Sequence, residues 1–349
     1  MKKLFIDDFR IGGDKTFIVA ELSANHNQNL DIAVQTIIAA KKAGADAIKL
    51  QTYTPDTITI NCNNEYFQIK QGTLWDGQTL YDLYKSAYTP WEWHETLFKT
   101  ARDIGLICFS SPFDYTAVDF LEQFNPPAYK IASFEITDIP LIEYIASKNR
   151  PVIISTGIAN KNDIEEAIGA CRKMKNDQII LLKCTSSYPA PYEEINLKSI
   201  PYLNDYFGYY SGLSDHTLGI EVPVAAVVLG AVVIEKHFIL DKNIGGPDAA
   251  FSLTPGELTS MINAIRNIEK SIGKESFEPS ASSLKNRFFS RSLFVIKDIN
   301  SGELFTSENI RSIRPGNGLP PKYLYKIIGK KAKKNLKKGT PLQWDFIEK

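Results

Sequence analysis

From Phe17 to about Gly273, short β-branched apolar runs alternate with segments whose apolar residues recur every three to four positions. That is the signature of strands feeding helices and of a parallel sheet. Eight strand-like runs are present, at 17–24, 45–52, 106–111, 128–134, 151–156, 178–186, 209–215 and 231–238, with helical periodicity at 30–43, 90–104, 116–124, 139–147, 162–174, 221–229 and 254–272. Eight such units over ~250 residues predict a (β/α)8 TIM barrel. Helix punctuation agrees: Gly44, Gly105 and Gly230 stand where a left-handed C′ residue is wanted. Thr89-Pro90 and Thr254-Pro255, the latter with Glu257, read as N-caps followed by an N1 proline.

The stretch 53–89 is too long for an ordinary βα connection and is expected to be a functional loop or lid on the catalytic face. After Gly273 the pattern gives way to a polar Pro/Ser-rich segment, predicting a barrel domain over 1–273, a linker over 274–287 and a small β-rich module over 288–349. The run Lys330, Lys331, Lys333, Lys334, Lys337, Lys338 in that module lacks the aromatic interleaving used for stacking on bases, and reads as a solvated face.

Composition narrows the picture. Forty Lys+Arg against forty Asp+Glu argue against a nucleic-acid binder. The longest apolar run, Val222 to Ile234, is too short to span a bilayer, and the first ten residues do not form a signal peptide. A cytoplasmic protein with no membrane partner is the expectation. Four cysteines without CxxC spacing read as reduced packing residues.

Barrel enzymes carry their chemistry at the C-terminal ends of the strands, and here every run ends polar. The first gives Glu21, the second Lys49 and Gln51, the third Ser110-Ser111, the fourth Lys130 and Ser133, the fifth Ser155-Thr156-Gly157. The sixth gives Lys183, Thr185 and Ser186, the seventh Ser214-Asp215-His216, the eighth Glu235-Lys236-His237. Lysines are rarely buried unpaired. Four near strand ends (Lys49, Lys130, Lys183, Lys236), among hydroxyls, therefore imply a phosphate or carboxylate at the centre, unless some point outward toward the helices. His216 and His237 end adjacent strands and suit a divalent metal with positions left open for water and substrate oxygen.

These motifs resemble the sialic-acid synthase family: Ala20-Glu-Leu-Ser-Ala-Asn-His26, Ala45-Asp-Ala-Ile-Lys-Leu-Gln-Thr-Tyr-Thr-Pro-Asp56, Phe109-Ser-Ser-Pro-Phe113, Tyr129-Lys-Ile-Ala-Ser133, Lys183-Cys-Thr-Ser-Ser-Tyr-Pro189, Gly212-Leu-Ser-Asp-His-Thr217 and Glu235-Lys-His-Phe238. Arg314-Pro-Gly-Asn-Gly318 and Ile328-Gly-Lys-Lys-Ala332 resemble the family's C-terminal antifreeze-like (SAF) domain. The resemblance implies condensation of phosphoenolpyruvate with an acetamido-sugar aldehyde. The variant motifs point to the branch that takes 2,4-diacetamido-2,4,6-trideoxy-altrose, with N-acetylmannosamine or a legionaminic precursor left open. It also implies Mn2+ or Mg2+ on His216 and His237, and Lys49, Ser111, Lys130, Ser133, Ser155, Ser186 and Ser214 around phosphoenolpyruvate. Gln51 and Tyr188 line the same pocket, Glu235 is the favoured base and Glu21 orients the sugar. Arg314 caps the neighbouring barrel in a domain-swapped homodimer. Two further readings stay open: a Schiff-base aldolase using one of the lysines, and a non-catalytic carbohydrate-binding protein.

Overall fold

The computed structural model describes residues 3–348. Eight parallel strands close into a barrel in chain order. They are β1 (Phe17–Glu21), β2 (Ala47–Thr52), β3 (Ile107–Pro112), β4 (Tyr129–Ile131), β5 (Val152–Ser155), β6 (Ile179–Cys184), β7 (Tyr210–Asp215) and β8 (Val233–His237). β8 pairs with β7 on one side and β1 on the other, setting His237 opposite Glu21 and Glu235 opposite Ser214. All eight predicted strands are present, each bound lying within three residues of its reading. The largest change is at β4, where the chain leaves the ladder after Ile131 and Ser133 sits on a 3-10 turn, Ser133–Glu135, instead of a strand.

Alternation divides each strand between two cores. Inward residues Phe17, Val19, Ala47, Phe109, Ile153, Ile180, Leu182 and Val233 fill the barrel. Outward residues such as Ile18, Ile48, Ile154, Leu181 and Ile234 pack among the helices. An N-terminal hairpin, Leu4–Ile6 paired with Phe9–Ile11, adds Leu4, Ile6 and Ile11 to the inner cluster and so covers the barrel floor. Three-residue strands are too short to show alternation, which hid the hairpin in the sequence. Its exit needs Gly12: φ is +68°, and a Cβ there would stand 2.2 Å from the Tyr210 ring.

Helices Leu30–Ala43 and Ile139–Ser147 have the predicted bounds, and Gly44 takes the left-handed C-cap. Thr254 and Glu257 form the expected capping box on Pro255–Ile272. Thr89 does not cap. It is buried with its hydroxyl 3.3 Å from His26 Nε2, and the predicted helix divides into a 3-10 turn, Trp91–Trp93, and His94–Asp103. A helix not anticipated, Ser199–Phe207, joins β6 to β7; it buries only Ile200 and Leu203 and contains Pro201, which weakens its periodic signal. The 53–89 stretch carries two short helices, Pro55–Ile58 and Leu80–Ala87.

The chain divides into two compact units, Met1–Gly273 and Lys274–Lys349. The second has its own core of Leu293, Val295, Ile299, Phe305, Ile310, Leu336 and Leu342 beneath an antiparallel pair, Ser292–Val295 with Ile310–Ile313. It opens on exposed residues that include a short helix, Ala281–Lys285. Among the lysines at 330–338 the inward positions belong to Ala332 and Leu336. No helix among the described residues is long and apolar enough to cross a membrane.

Candidate active site

The barrel mouth is built by continuing the inward parity of each strand by one or two residues. Glu21 follows Val19, Lys49 and Gln51 follow Ala47, Ser111 follows Phe109, Ser155 follows Ile153, and Glu235 and His237 follow Val233. Apolar floor thus gives way to polar rim on the same face. Lys49 Nζ lies 2.7 Å from Glu21 Oε2 and 3.4 Å from Glu235 Oε1, and donates to Ser111 Oγ at 3.3 Å. Lys130 Nζ reaches the same Glu235 oxygen at 3.4 Å, and Ser214 Oγ donates to it at 3.3 Å. Gln51 Nε2 donates to Glu21 Oε1 and Ser23 Oγ, both at 2.9 Å.

The four charged groups are at most 4% exposed, so their charges survive only by pairing. Burial lowers the Lys49 ammonium, but Glu21 and Glu235 together lift it above the ordinary lysine value. Lys130 stays below that value, because burial and the charge of Lys49 outweigh Glu235. Burial raises Glu235, yet Lys130 and Lys49 pull it down to about 2.

Beside this network β5 ends in a recess. A Cβ on Gly157 would stand 2.2 Å from Ser186 Oγ, 2.7 Å from Ser133 Oγ and 3.1 Å from Cys184 Sγ, so these groups close on a bare backbone. Gly157 N–H donates to Ser133 Oγ at 3.3 Å, while the buried Ser155 hydroxyl has no hydrogen-bond partner among the described residues. Backbone N–H and hydroxyl donors around a glycine suit a polyoxygen anion. Gly157 itself was legible in the Ser-Thr-Gly ending of the fifth run.

His216 and His237 face each other with ring centroids 5.3 Å apart. His216 Nδ1 lies 2.9 Å from the Thr185 carbonyl, and His237 Nδ1 lies 3.5 Å from Asp248 Oδ2. Each imidazole thus has an oxygen behind Nδ1 and Nε2 left for a ligand, the arrangement that orients metal-binding histidines. No three His, Cys, Asp or Glu side chains converge on one point among the described residues. The pair fits a divalent ion that takes its remaining ligands from water and substrate oxygen.

Tyr188 packs over this pair, its ring 4.4 Å from His216, 5.3 Å from Phe251 and 5.6 Å from Trp75 of the 53–89 stretch. That stretch therefore folds onto the rim of the mouth. Arg314 is exposed, on the second unit.

Two of the four strand-end lysines do not join the site. Lys236 is fully buried on the outward face, 2.5 Å from Asp215 Oδ2 and also bonded to the Thr217 carbonyl. Lys183 turns outward too, donating to the Cys184 carbonyl at 2.7 Å. Conversely, two carboxylates were missed. Asp248, from the loop after β8, is buried behind His237. Glu135, on the turn after β4, is pushed up to about 7 by burial, which outweighs its backbone hydrogen bond and the charges of Lys130 and Lys49. The sequence signal available for Glu135 was its position two residues beyond Ser133.

A sequence profile of the NeuB family matches residues 36–277, and one of the SAF domain matches 290–348. The pseudaminic acid synthases of Campylobacter jejuni and Helicobacter pylori are each 50% identical to this chain over 95% of its length, covering 97% and 98% of their own. The crystal structure of an N-acetylneuraminic acid synthetase from Leptospira borgpetersenii, in complex with citrate, is 32% identical with a TM-score of 0.72, over 82% of this chain and 95% of that one.

Proposed function

The chain belongs to the NeuB family, and from that premise we propose that it condenses phosphoenolpyruvate with 2,4-diacetamido-2,4,6-trideoxy-altrose to give pseudaminic acid and phosphate. The observation that carries the chemistry is the meeting, at one barrel mouth, of paired lysines, a hydroxyl-lined glycine recess and two open-faced histidines. The choice of sugar rests on 50% identity to the pseudaminic acid synthases against 32% to the neuraminic acid enzyme.

Lys49 and Lys130 each have three donors, more than their carboxylate neighbours use, and hold the phosphate and carboxylate of phosphoenolpyruvate with Ser111, Ser133, Ser155, Ser186, Ser214 and the Gly157 N–H. His216 and His237 would hold a divalent ion, Mn2+ or Mg2+, which would supply Lewis acidity at the acceptor's aldehyde. The nucleophile is C3 of phosphoenolpyruvate. As its π electrons form the new C–C bond, cationic character develops at C2, which the Glu235 carboxylate faces. Glu235 Oε2 has no hydrogen-bond partner among the described residues and accepts a bond from the attacking water. Water bound to such a carbon is strongly acidic, so a weak base suffices, and the tetrahedral adduct then collapses by breaking C2–O, so that phosphate leaves with the bridging oxygen. Glu135, whose carboxyl burial pushes up to about 7 and so keeps partly protonated at neutral pH, is the candidate donor of the proton that the aldehyde oxygen takes up as it becomes a hydroxyl. Glu21 and Gln51, bonded to each other, orient the sugar, and Tyr188 forms a wall.

In this reading the enzyme is a cytoplasmic, domain-swapped homodimer in which Arg314 caps the partner's site. The charge distribution supports docking of the second unit on a barrel, without choosing between its own and a partner's. Residues 1–273 hold twenty-four Lys+Arg against thirty-three Asp+Glu, and residues 274–349 hold sixteen against seven, so the units carry net charges of −9 and +9. Four unpaired cysteines suit a reducing compartment.

The test is phosphate release from phosphoenolpyruvate and Mn2+ with the diacetamido-altrose, N-acetylmannosamine or the legionaminic precursor as acceptor. The diacetamido-altrose should have the highest kcat/KM, and preference for either alternative would overturn the sugar assignment. Release of phosphate with none of the three would overturn the reading altogether.

A further inference from the structure

We propose that Trp75 is the residue by which this enzyme selects an uncharged, deoxygenated acceptor. The inference rests on the reading of the chain as an acetamido-sugar synthase, and it begins with the place of the indole. If His216 and His237 mark the reacting end of the acceptor, its far end must lie further along the rim. One aromatic ring beyond His216, by way of Tyr188, stands Trp75, at ring spacings of 4.4 and 5.6 Å.

Behind it Trp75, Leu74, Leu83, Pro247 and Ala250 line a cavity of about 450 Å3 in which Gln78 and Ser86 are the only other side chains capable of hydrogen bonding. No ionised group lines it among the described residues. Such a wall favours C–H groups against the indole face and the methyl of an acetamido group. It offers a hydroxymethyl little in return, and a phosphate no cation to pair with.

The indole has a second peculiarity. Its Nε1 is buried and donates to no described residue. A buried donor without a partner is costly and needs explaining. An acetamido carbonyl brought by the acceptor would satisfy it once the 53–89 stretch adjusts around the sugar. Methyl contact and carbonyl acceptance together describe an acetamido-deoxy sugar better than a polyhydroxylated one.

The experiment compares kcat/KM for 2,4-diacetamido-2,4,6-trideoxy-altrose and for N-acetylmannosamine, in the full-length Mn2+ enzyme and in W75A. The ratio of the two should fall about tenfold or more in W75A, while the KM for phosphoenolpyruvate stays within about twofold. W75Q, which keeps an amide donor but loses the ring face, should also lower the ratio and serves if W75A does not fold. A ratio unchanged in the folded variant overturns the role of Trp75 while leaving the function intact. Wild-type enzyme that prefers N-acetylmannosamine, or that turns over neither sugar, overturns the sugar reading and the role of Trp75 with it.

Discussion

Lys130 and Glu235 meet from opposite walls of the barrel, Nζ to Oε1 3.4 Å, although β4 and β8 are four strands apart in the closed order. A contact across the full width of the mouth places the ammonium at its centre, the proposed seat of phosphoenolpyruvate. Lys130→Ala should therefore raise the KM for phosphoenolpyruvate and lower kcat, with a combined loss of ~10²–10³ in kcat/KM, while leaving the KM for the sugar nearly unchanged. Steady-state kinetics with each substrate varied in turn would check it, and an equal rise in both KM values would contradict the assignment.

If the two open-faced histidines hold a divalent ion as proposed, turnover depends on it. Exhaustive chelation should abolish phosphate release, and Mn2+ or Mg2+ should restore it. His216→Ala and His237→Ala should be folded by circular dichroism yet inactive at any metal concentration. Full activity in a preparation shown metal-free by mass spectrometry would refute the assignment.

Acid should destabilise the barrel through two buried histidines. His26 and His94 are buried, and burial lowers each to about 4 from an ordinary 6.5. His26 needs the neutral ring because its Nδ1 accepts from the Gln28 N–H at 3.1 Å, whereas His94, with Nδ1 3.3 Å from the Pro90 carbonyl, is kept neutral by burial alone. Above pH 6.5 both are neutral whether folded or unfolded, and no stability is lost. As pH falls from 6.5 toward 4 the unfolded chain takes up protons that the native state refuses, at up to about 3 kcal/mol for each histidine. Denaturant midpoints measured at pH 7 and pH 5 should differ accordingly, and His94→Gln should flatten the difference.

Arg266, on the helix that closes the barrel, bonds at once to Asp46 at 2.9 Å, Glu269 at 2.8 Å and the Thr16 carbonyl at 2.9 Å. It thereby fixes that helix to the start of β1. Removing a half-buried cation strands two carboxylates, so Arg266→Ala should cost about 3 kcal/mol. Thermal denaturation would show it, and a loss below ~0.5 kcal/mol, the level of an exposed pair, would refute it.

The domain swap can be tested by complementation. Arg314→Ala subunits and His216→Ala subunits, each inactive alone, should regain activity when unfolded together and refolded as mixed dimers, because one site then combines a native barrel with a native loop. If the loop acts on its own barrel, every site keeps a lesion and no activity returns.

Much of the site was legible because a strand has a period of two. Glu235 and His237 share a face with Val233, as Lys49 and Gln51 do with Ala47. The same rule, applied to Lys236 and Lys183, turns both outward, since they follow Ile234 and Leu181 at even spacing and those residues belong to the outer core. Counting lysines near strand ends without their parity overstated the charge of the mouth. Glu135, Asp248 and Trp75 obey no period. They reach the rim from turns and long loops, whose paths are set by contacts made far away in sequence, such as Trp75 on Tyr188. Chain order alone does not reveal them.

The hairpin beneath the barrel has a consequence for traffic. With Leu4, Ile6 and Ile11 wedged among Phe17, Phe109 and Ile180, the described residues leave no rear exit. Two reactants, a water and two products must share one doorway. If phosphoenolpyruvate sits on Lys49 and Lys130 as proposed, it has to arrive before the sugar that lies above it, and whatever occupies the upper berth leaves first. The enzyme works as a single-entrance dock, and its order of arrivals and departures is written in depth.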